Sequence, residues 1–214
     1  GNHSTYRGVA PAAGIVSIKV CNNAGSASCN SDDVIAGIQW CTNNATALNI
    51  SVISISLGGG SYSTYCNDDD LAPAVNTAVG QNITVAISAG NSGTSTAISS
   101  PACIQNATPV GAVNSADSIS YNRASILSLL APGVSITAPY VGGSTTTLSG
   151  TSMSTPHVSG TVALLQQFYR AQYNKSQTVA EVENVLNLTG KSVTDSVSGL
   201  TFSRIDVYAA LLSL

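Results

Sequence analysis

Ser152 sits in the run Gly150-Thr151-Ser152-Met153-Ser154-Thr155-Pro156-His157-Val158-Ser159-Gly160, where a glycine leads into a serine and an apolar helical stripe follows. Glycine permits a sharp backbone entry. The pattern predicts a helix starting at Ser152, with Pro156 read into the first turn, where a missing N–H costs nothing. A serine so placed stands beside orphan N–H donors and the positive end of a helix dipole, where an oxyanion on a reacting carbonyl is stabilised. Serine is also a favoured N-cap with no chemistry at all, so the neighbouring segments must decide. One of these is Ile87-Ser88-Ala89-Gly90-Asn91-Ser92-Gly93, a strand exit ending on a glycine-flanked Asn91. The Asn91 amide and the Ser152 backbone N–H would make a two-donor hole for acyl transfer. The other is Ser54-Ile55-Ser56-Leu57-Gly58-Gly59-Gly60, whose bare backbone suits a peptide laid alongside by strand addition. A phosphate-binding turn is the rival for this segment, but no G-x-G-x-x-G or G-K-[ST] pattern follows.

The elements that must position these groups alternate. Residues 15–20 (IVSIKV) and 52–56 (VISIS) are short β-rich apolar runs bounded by turn residues, as buried parallel strands are. Between them Ser31 caps a predicted helix, Asp32 and Asp33 suit its first turn, and Val34, Ile35, Ile38 and Cys41 form its stripe. A helix over 71–79, a strand over 83–88 and a strand over 110–113 continue the pattern. The longest helix begins at Ser152, buries Val158, Val162, Leu165 and Tyr169, and exits at Tyr173-Asn174. Helices over 179–188 and 205–212 complete the outer layer. The expected fold is α/β: three layers, a parallel sheet flanked by helices, in one domain over 1–214, with active groups at the carboxyl ends of the strands.

Composition narrows the partners. Only 8% of the 214 residues are charged and the net charge is -3, so no basic patch serves nucleic acid or anionic lipid. No apolar run reaches the length of a membrane span. Seven N-x-Ser/Thr acceptors, at Asn2, Asn44, Asn49, Asn82, Asn106, Asn174 and Asn187, exceed the two or three or so expected by chance and favour a secreted glycoprotein. The opening Gly1-Asn2-His3-Ser4 reads as the middle of a loop, so any signal or pro-segment is expected to have been removed. Five cysteines, Cys21, Cys29, Cys41, Cys66 and Cys103, lack zinc-site spacing and read as disulfides with one thiol left over. Closing Cys66 to Cys103 would remove roughly 4 kcal/mol of loop entropy, although the sequence leaves the pairing open. Asp68, Asp69 and Asp70 are adjacent rather than alternating, which suits an acidic cap on the following helix better than a calcium loop.

Taken together and in order, these segments resemble the subtilisin-like serine proteases. Gly8-Val9-Ala10-Pro11 with 15–20, Ser56-Leu57-Gly58-Gly59, Ala89-Gly90-Asn91, Ala131-Pro132-Gly133 and 150–160 are similar to that family's landmarks from about Gly8 to the C-terminus. The resemblance implies a serine endopeptidase acting on polypeptides through an acyl-enzyme. It assigns Ser152 as nucleophile, Asn91 as oxyanion donor, and Ser56, Leu57 and Gly58 as the strand that pairs with substrate. Ser88, Ala89 and Gly90 would wall a specificity pocket of broad apolar preference. It implies no cofactor for the chemistry; the family often binds structural calcium, for which the sequence locates no site.

The family's triad runs Asp, His, Ser, with the first two upstream of the Gly8 landmark. His3 lacks the flanking motif and reads as a loop residue, and His157 lies about 140° round the helix from Ser152. The chain alone is therefore expected to be nearly inactive, its Asp and His lying upstream on a companion N-terminal segment, either a separate chain or the remainder of a longer polypeptide of which this is a fragment. An α/β-hydrolase esterase is disfavoured, because the fifth position of Gly-x-Ser-x-Gly is Ser154 and His157 is the only downstream histidine. The alternative from another class is a non-catalytic secreted or surface glycoprotein that uses the same cleft to hold a peptide or partner.

Overall fold

A computed structural model describes residues 6–22 and 28–214. After an extended opening, α1 (Ser31–Asn43) and the short α2 (Ala45–Leu48) lead into β1 (Val52–Ile55) and β2 (Gly59–Tyr62). Helix α3 (Ala72–Gly80) precedes β3 (Thr84–Ser88), β4 (Ile98–Ser100), β5 (Thr108–Val113) and β6 (Leu129–Pro132). A hairpin of β7 (Ile136–Pro139) and β8 (Thr145–Leu148) then feeds α4 (Thr151–Tyr173). The chain ends with α5 (Val179–Thr189), β9 (Lys191–Thr194), β10 (Thr201–Arg204) and α6 (Val207–Leu212).

Six strands form one sheet in the order β1-β3-β5-β6-β10-β9. All neighbours are parallel except β10 and β9. Side chains alternate faces along a strand, and both faces here are covered. On β3, Val85 and Ile87 join Val34, Ile38 and Val75 of α1 and α3 on one side, while Ala86 meets Val158, Val162 and Leu165 of α4 on the other. On β6, Leu130 faces the first layer while Leu129 and Ala131 face the second. The expected three layers are present. The alternation seals α4 against the sheet's centre and fixes where its N-terminus lies: above the carboxyl ends of β3, β5 and β6.

Three local expectations are corrected. Residues 15–20 form no strand: Ile15 is 79% exposed and only Val20 is packed against the core. Strand β1 is the sheet's edge, and this segment does not pair with it; Ile18 and Val20 lie against Gly37 of α1 instead. Asn30, not Ser31, caps α1, its side chain accepting from the Asp32 N–H. The expected acidic cap on α3 is also corrected: its N-cap position, Leu71, has no side-chain cap and no acid lies in the first turn, while Asp69 accepts the Leu71 N–H at 2.9 Å and the Ser100 hydroxyl in the turn before the helix. The predicted apolar stripe of α4 is buried at Val158, Val162 and Leu165, with Tyr169 half-buried, and Asn174 ends the helix in a left-handed conformation.

Disulfides join Cys66 to Cys103 and Cys21 to Cys29, leaving Cys41 as the odd, buried thiol. The first ties the turn before α3 to the loop between β4 and β5, reinforced by the Cys66 N–H donating to the Cys103 carbonyl at 3.0 Å.

Candidate active site

The start of α4 is built by tertiary contacts. Gly150 precedes the first turn at φ 151°, backbone favoured by glycine, and it has no side chain to cap the helix. The cap comes from Asn91, at the exit of β3. Its Oδ1 accepts from both the Thr151 N–H and the Thr151 hydroxyl, each at 2.9 Å. The Thr151 hydroxyl accepts in turn from the Gly90 N–H at 3.1 Å. With its oxygen committed twice, the Asn91 carboxamide is fixed in orientation and its NH₂ is left as the free donor. The Ser152 N–H, one residue further, is an orphan first-turn donor that no described residue takes up. No acid occupies the first turn. Ser152 is half-buried and Asn91 exposed, so two donors and a hydroxyl meet at an accessible, electropositive helix start.

A second floor supports this turn from β6. The Gly150 N–H donates to the Gly133 carbonyl at 2.8 Å, and the Ser154 hydroxyl to the Ala131 carbonyl at 3.1 Å. A Cβ on Gly133 would lie 2.1 Å from the Ser154 Oγ and 2.6 Å from the Ala112 Cβ. Only glycine permits β6 to leave so close beneath the helix.

Pro156 is the sixth residue of α4, not part of its first turn, which corrects the sequence reading. Its missing N–H would have bonded the carbonyl four residues back, that of Ser152. The hydroxyl of Ser56, where the chain leaves β1, donates to that carbonyl at 3.1 Å. Ser56, with Leu57 and Gly58 after it, thus leaves β1 beside the Ser152 turn. A Cβ on Gly58 would lie 2.6 Å from the Ser100 carbonyl oxygen. Ser88 and Ala89 are buried, Gly90 half-buried; the Ala89 carbonyl accepts from the Ser99 N–H at 2.8 Å and the Gly90 carbonyl from the Asn122 N–H at 3.2 Å.

Two charged groups brace the Asn91 loop from behind. The Arg123 Nε donates to Asp195 Oδ2 at 3.0 Å, and its Nη1 to the Gly93 and Tyr121 carbonyls. Burial pushes the Asp195 carboxyl up, but hydrogen bonds from Arg123 and Ser198 outweigh it and hold it at about 2. Sequence reading missed Thr151, Arg123 and Asp195. Thr151 was open to recognition as a hydroxyl beside the candidate nucleophile; the ion pair spans 72 positions and leaves no local signal.

His157 is not brought to Ser152. Its Nδ1 lies 2.8 Å from the Met153 carbonyl of its own helix, so that nitrogen carries the proton and donates. Among the described residues no imidazole or carboxylate bonds Ser152; His3 and Asn2 lie outside them. Among the described residues there is also no cluster of three or more His, Cys, Asp or Glu suited to a metal. No described helix is long and apolar enough to cross a membrane. Of the N-x-Ser/Thr acceptors, Asn49, Asn82, Asn106, Asn174 and Asn187 are exposed and Asn44 is half-buried.

The family model for the subtilases matches residues 1–203. The chain belongs to the subtilase family. It is 37% identical to Subtilisin DY of Bacillus licheniformis over 91% of its own length and 67% of that protein's. It is 36% identical to Subtilisin Savinase of Lederbergia lenta over 87% and 64%, and 42% identical to Subtilisin-like protease 2 of Pseudogymnoascus destructans over 70% and 36%. Among solved structures, a cold adapted subtilisin-like serine proteinase superposes with a TM-score of 0.69 at 32% identity, over 84% of this subtilase chain and 62% of that one. The Prenylagaramide maturation protease PagA shares the fold, with a TM-score of 0.74 at 24% identity over 87% and 68%. The subtilase chain thus spans between about a third and two thirds of its relatives' lengths.

Proposed function

We propose that this chain carries the nucleophile and the oxyanion hole of a serine endopeptidase that hydrolyses peptide bonds through an acyl-enzyme. The observation that carries this reading is the double acceptance by Asn91 Oδ1 from Thr151, which orients a free amide NH₂ beside the Ser152 N–H. Ser152 Oγ attacks the scissile carbonyl carbon and its proton passes to an imidazole. The carbonyl oxygen, now an anion, is held by the Asn91 NH₂ and the Ser152 N–H. The intermediate collapses, the amine leaves with the proton, and water releases the acyl group by the same steps in reverse roles. Substrate backbone pairs with Ser56, Leu57 and Gly58. The small side chains of Ser88, Ala89 and Gly90 favour a broad apolar preference.

The imidazole and the aspartate that orients it come from a companion segment upstream, which the partial coverage of the relatives supports. Disulfides and six exposed or half-exposed acceptor asparagines support secretion as a glycoprotein. Labelling of the full-length gene product with a fluorophosphonate, followed by peptide mapping, is expected to place the adduct on Ser152. Absence of labelling in protein that is folded by circular dichroism would refute the reading. The second reading, a non-catalytic glycoprotein that holds a peptide, is favoured by one observation: no base reaches Ser152 among the described residues. A folded, unlabelled protein that still binds peptide would establish it.

A further inference from the structure

We propose that the Ser56 side chain is a positioning residue for the nucleophile, acting through the main-chain carbonyl of Ser152 that Pro156 leaves vacant. The inference rests on Ser152 being the nucleophile, and it assigns the hydroxyl of Ser56 a role separate from the pairing of its backbone with substrate. In a helix the carbonyl of Ser152 would bond the N–H of residue 156, and proline has none. The helix therefore carries an unsatisfied acceptor on the very residue that must present its hydroxyl to substrate. The Ser56 hydroxyl, 96 positions away in sequence, donates to that acceptor at 3.1 Å.

Two independent features make this a fixed contact. Ser56 follows directly on Ile55, a 7% exposed core residue of β1, so its backbone is anchored by the sheet. On its other side, Ser152 is flanked by Thr151 and Ser154, both fully buried and both hydrogen-bonded to sheet exits. The Ser152 peptide is thus gripped at three points: through Thr151 to β3, through Ser154 to β6, and through its own carbonyl to β1. The third link joins the segment that receives substrate to the residue that attacks it. Ordering of Ser56 by a bound peptide backbone therefore steadies the Ser152 main chain, and the acylation step gains from a filled strand site.

The test is a double-mutant cycle in the full-length gene product, read by pre-steady-state kinetics with a peptidyl p-nitrophenyl ester, which separates binding from the rate of Ser152 acylation. Ser56→Ala is expected to slow acylation about five- to tenfold, the worth of one hydrogen bond, with little change in binding. Ser56→Thr, which keeps the hydroxyl, restores it. Pro156→Ala supplies the missing N–H to the Ser152 carbonyl, so in that background Ser56→Ala is expected to cost less than about twofold. An equal loss with and without Pro156→Ala, or a loss confined to binding, overturns the inference. Wild-type protein that is not acylated overturns the protease reading and this one with it; wild-type acylation without coupling in the cycle overturns this one alone. Far-ultraviolet circular dichroism of each variant confirms the fold, and Ser56→Thr keeps the test decisive if Ser56→Ala is unstable.

Discussion

The Arg123–Asp195 pair offers a stability measurement that bears directly on the Asn91 loop of the candidate site. Both side chains are buried, with 5% and 3% of their surfaces exposed. Asp195 also accepts from the Ser198 N–H at 2.8 Å and the Ser198 hydroxyl at 2.7 Å, closing the turn between β9 and β10. The Arg123 Nη1 donates to the Gly93 and Tyr121 carbonyls, the far side of the Asn91 turn. Folding lowers the Asp195 carboxyl from 3.8 to about 2, so the charged form is favoured in the native state. A depressed carboxylate contributes stability that is complete above its unfolded value and is lost as pH falls through its folded value. At about 1.4 kcal/mol per unit, the contribution is about 2 kcal/mol, lost between about pH 5 and pH 2. Asp195→Asn keeps the shape but leaves the buried guanidinium unpaired, which costs about 3–5 kcal/mol at neutral pH. Urea unfolding of both proteins in a Ser152→Ala background, which prevents self-digestion, gives the two curves. The gap between them is expected to narrow by about 2 kcal/mol as pH falls from about 5 to 2. Parallel curves over that range would refute the reasoning, because they would mean that the carboxylate charge contributes nothing to the fold.

Asn91→Asp keeps the acceptor that Thr151 needs and removes the free NH₂, so stability should hold while acylation falls by about 10²–10³, the range known for this kind of donor in a subtilisin; thermal melts and labelling rates measured together check the split. Thr151→Val leaves the Gly90 N–H and one Asn91 acceptor site unpaired, and unfolding is expected to show a loss of about 1–3 kcal/mol. Burial raises the Glu183 carboxyl, only partly offset by the Thr108 hydroxyl, so its contribution is full in acid and is lost as pH rises through its folded value. Glu183→Gln should therefore match wild type near pH 4 or so and exceed it in denaturant midpoint at alkaline pH, with coincident midpoints counting against the argument.

The segments of the site were legible because each carries its constraint locally. Gly150 and Asn91 declare their turns by residue type, and the stripe of Val158, Val162 and Leu165 declares a helix pressed on a sheet. The three-layer α/β order followed from alternation alone. Residues 15–20 misled because an apolar β-rich run signals strand chemistry but not the presence of a neighbour to pair with. Pro156 was read into the first turn although, counted from Ser152, it is already the fifth residue, and the group that replaces its hydrogen bond, the Ser56 hydroxyl, lies 96 positions away. Arg123 and Asp195 were illegible for the same reason: their partnership exists only once the sheet brings distant turns together.

Asn91 caps a helix that begins 60 residues downstream, and Gly150 brings no cap of its own. The first turn of α4 therefore has no local means of closing, and it waits for β3 and β6 to be in place. Contacts so far apart in sequence form late, after the loop between them has been closed at an entropic cost. A chain still folding has Ser152 but not the orientation that the finished turn gives it. The orientation of Ser152 is thus a product of the completed sheet rather than of its own segment.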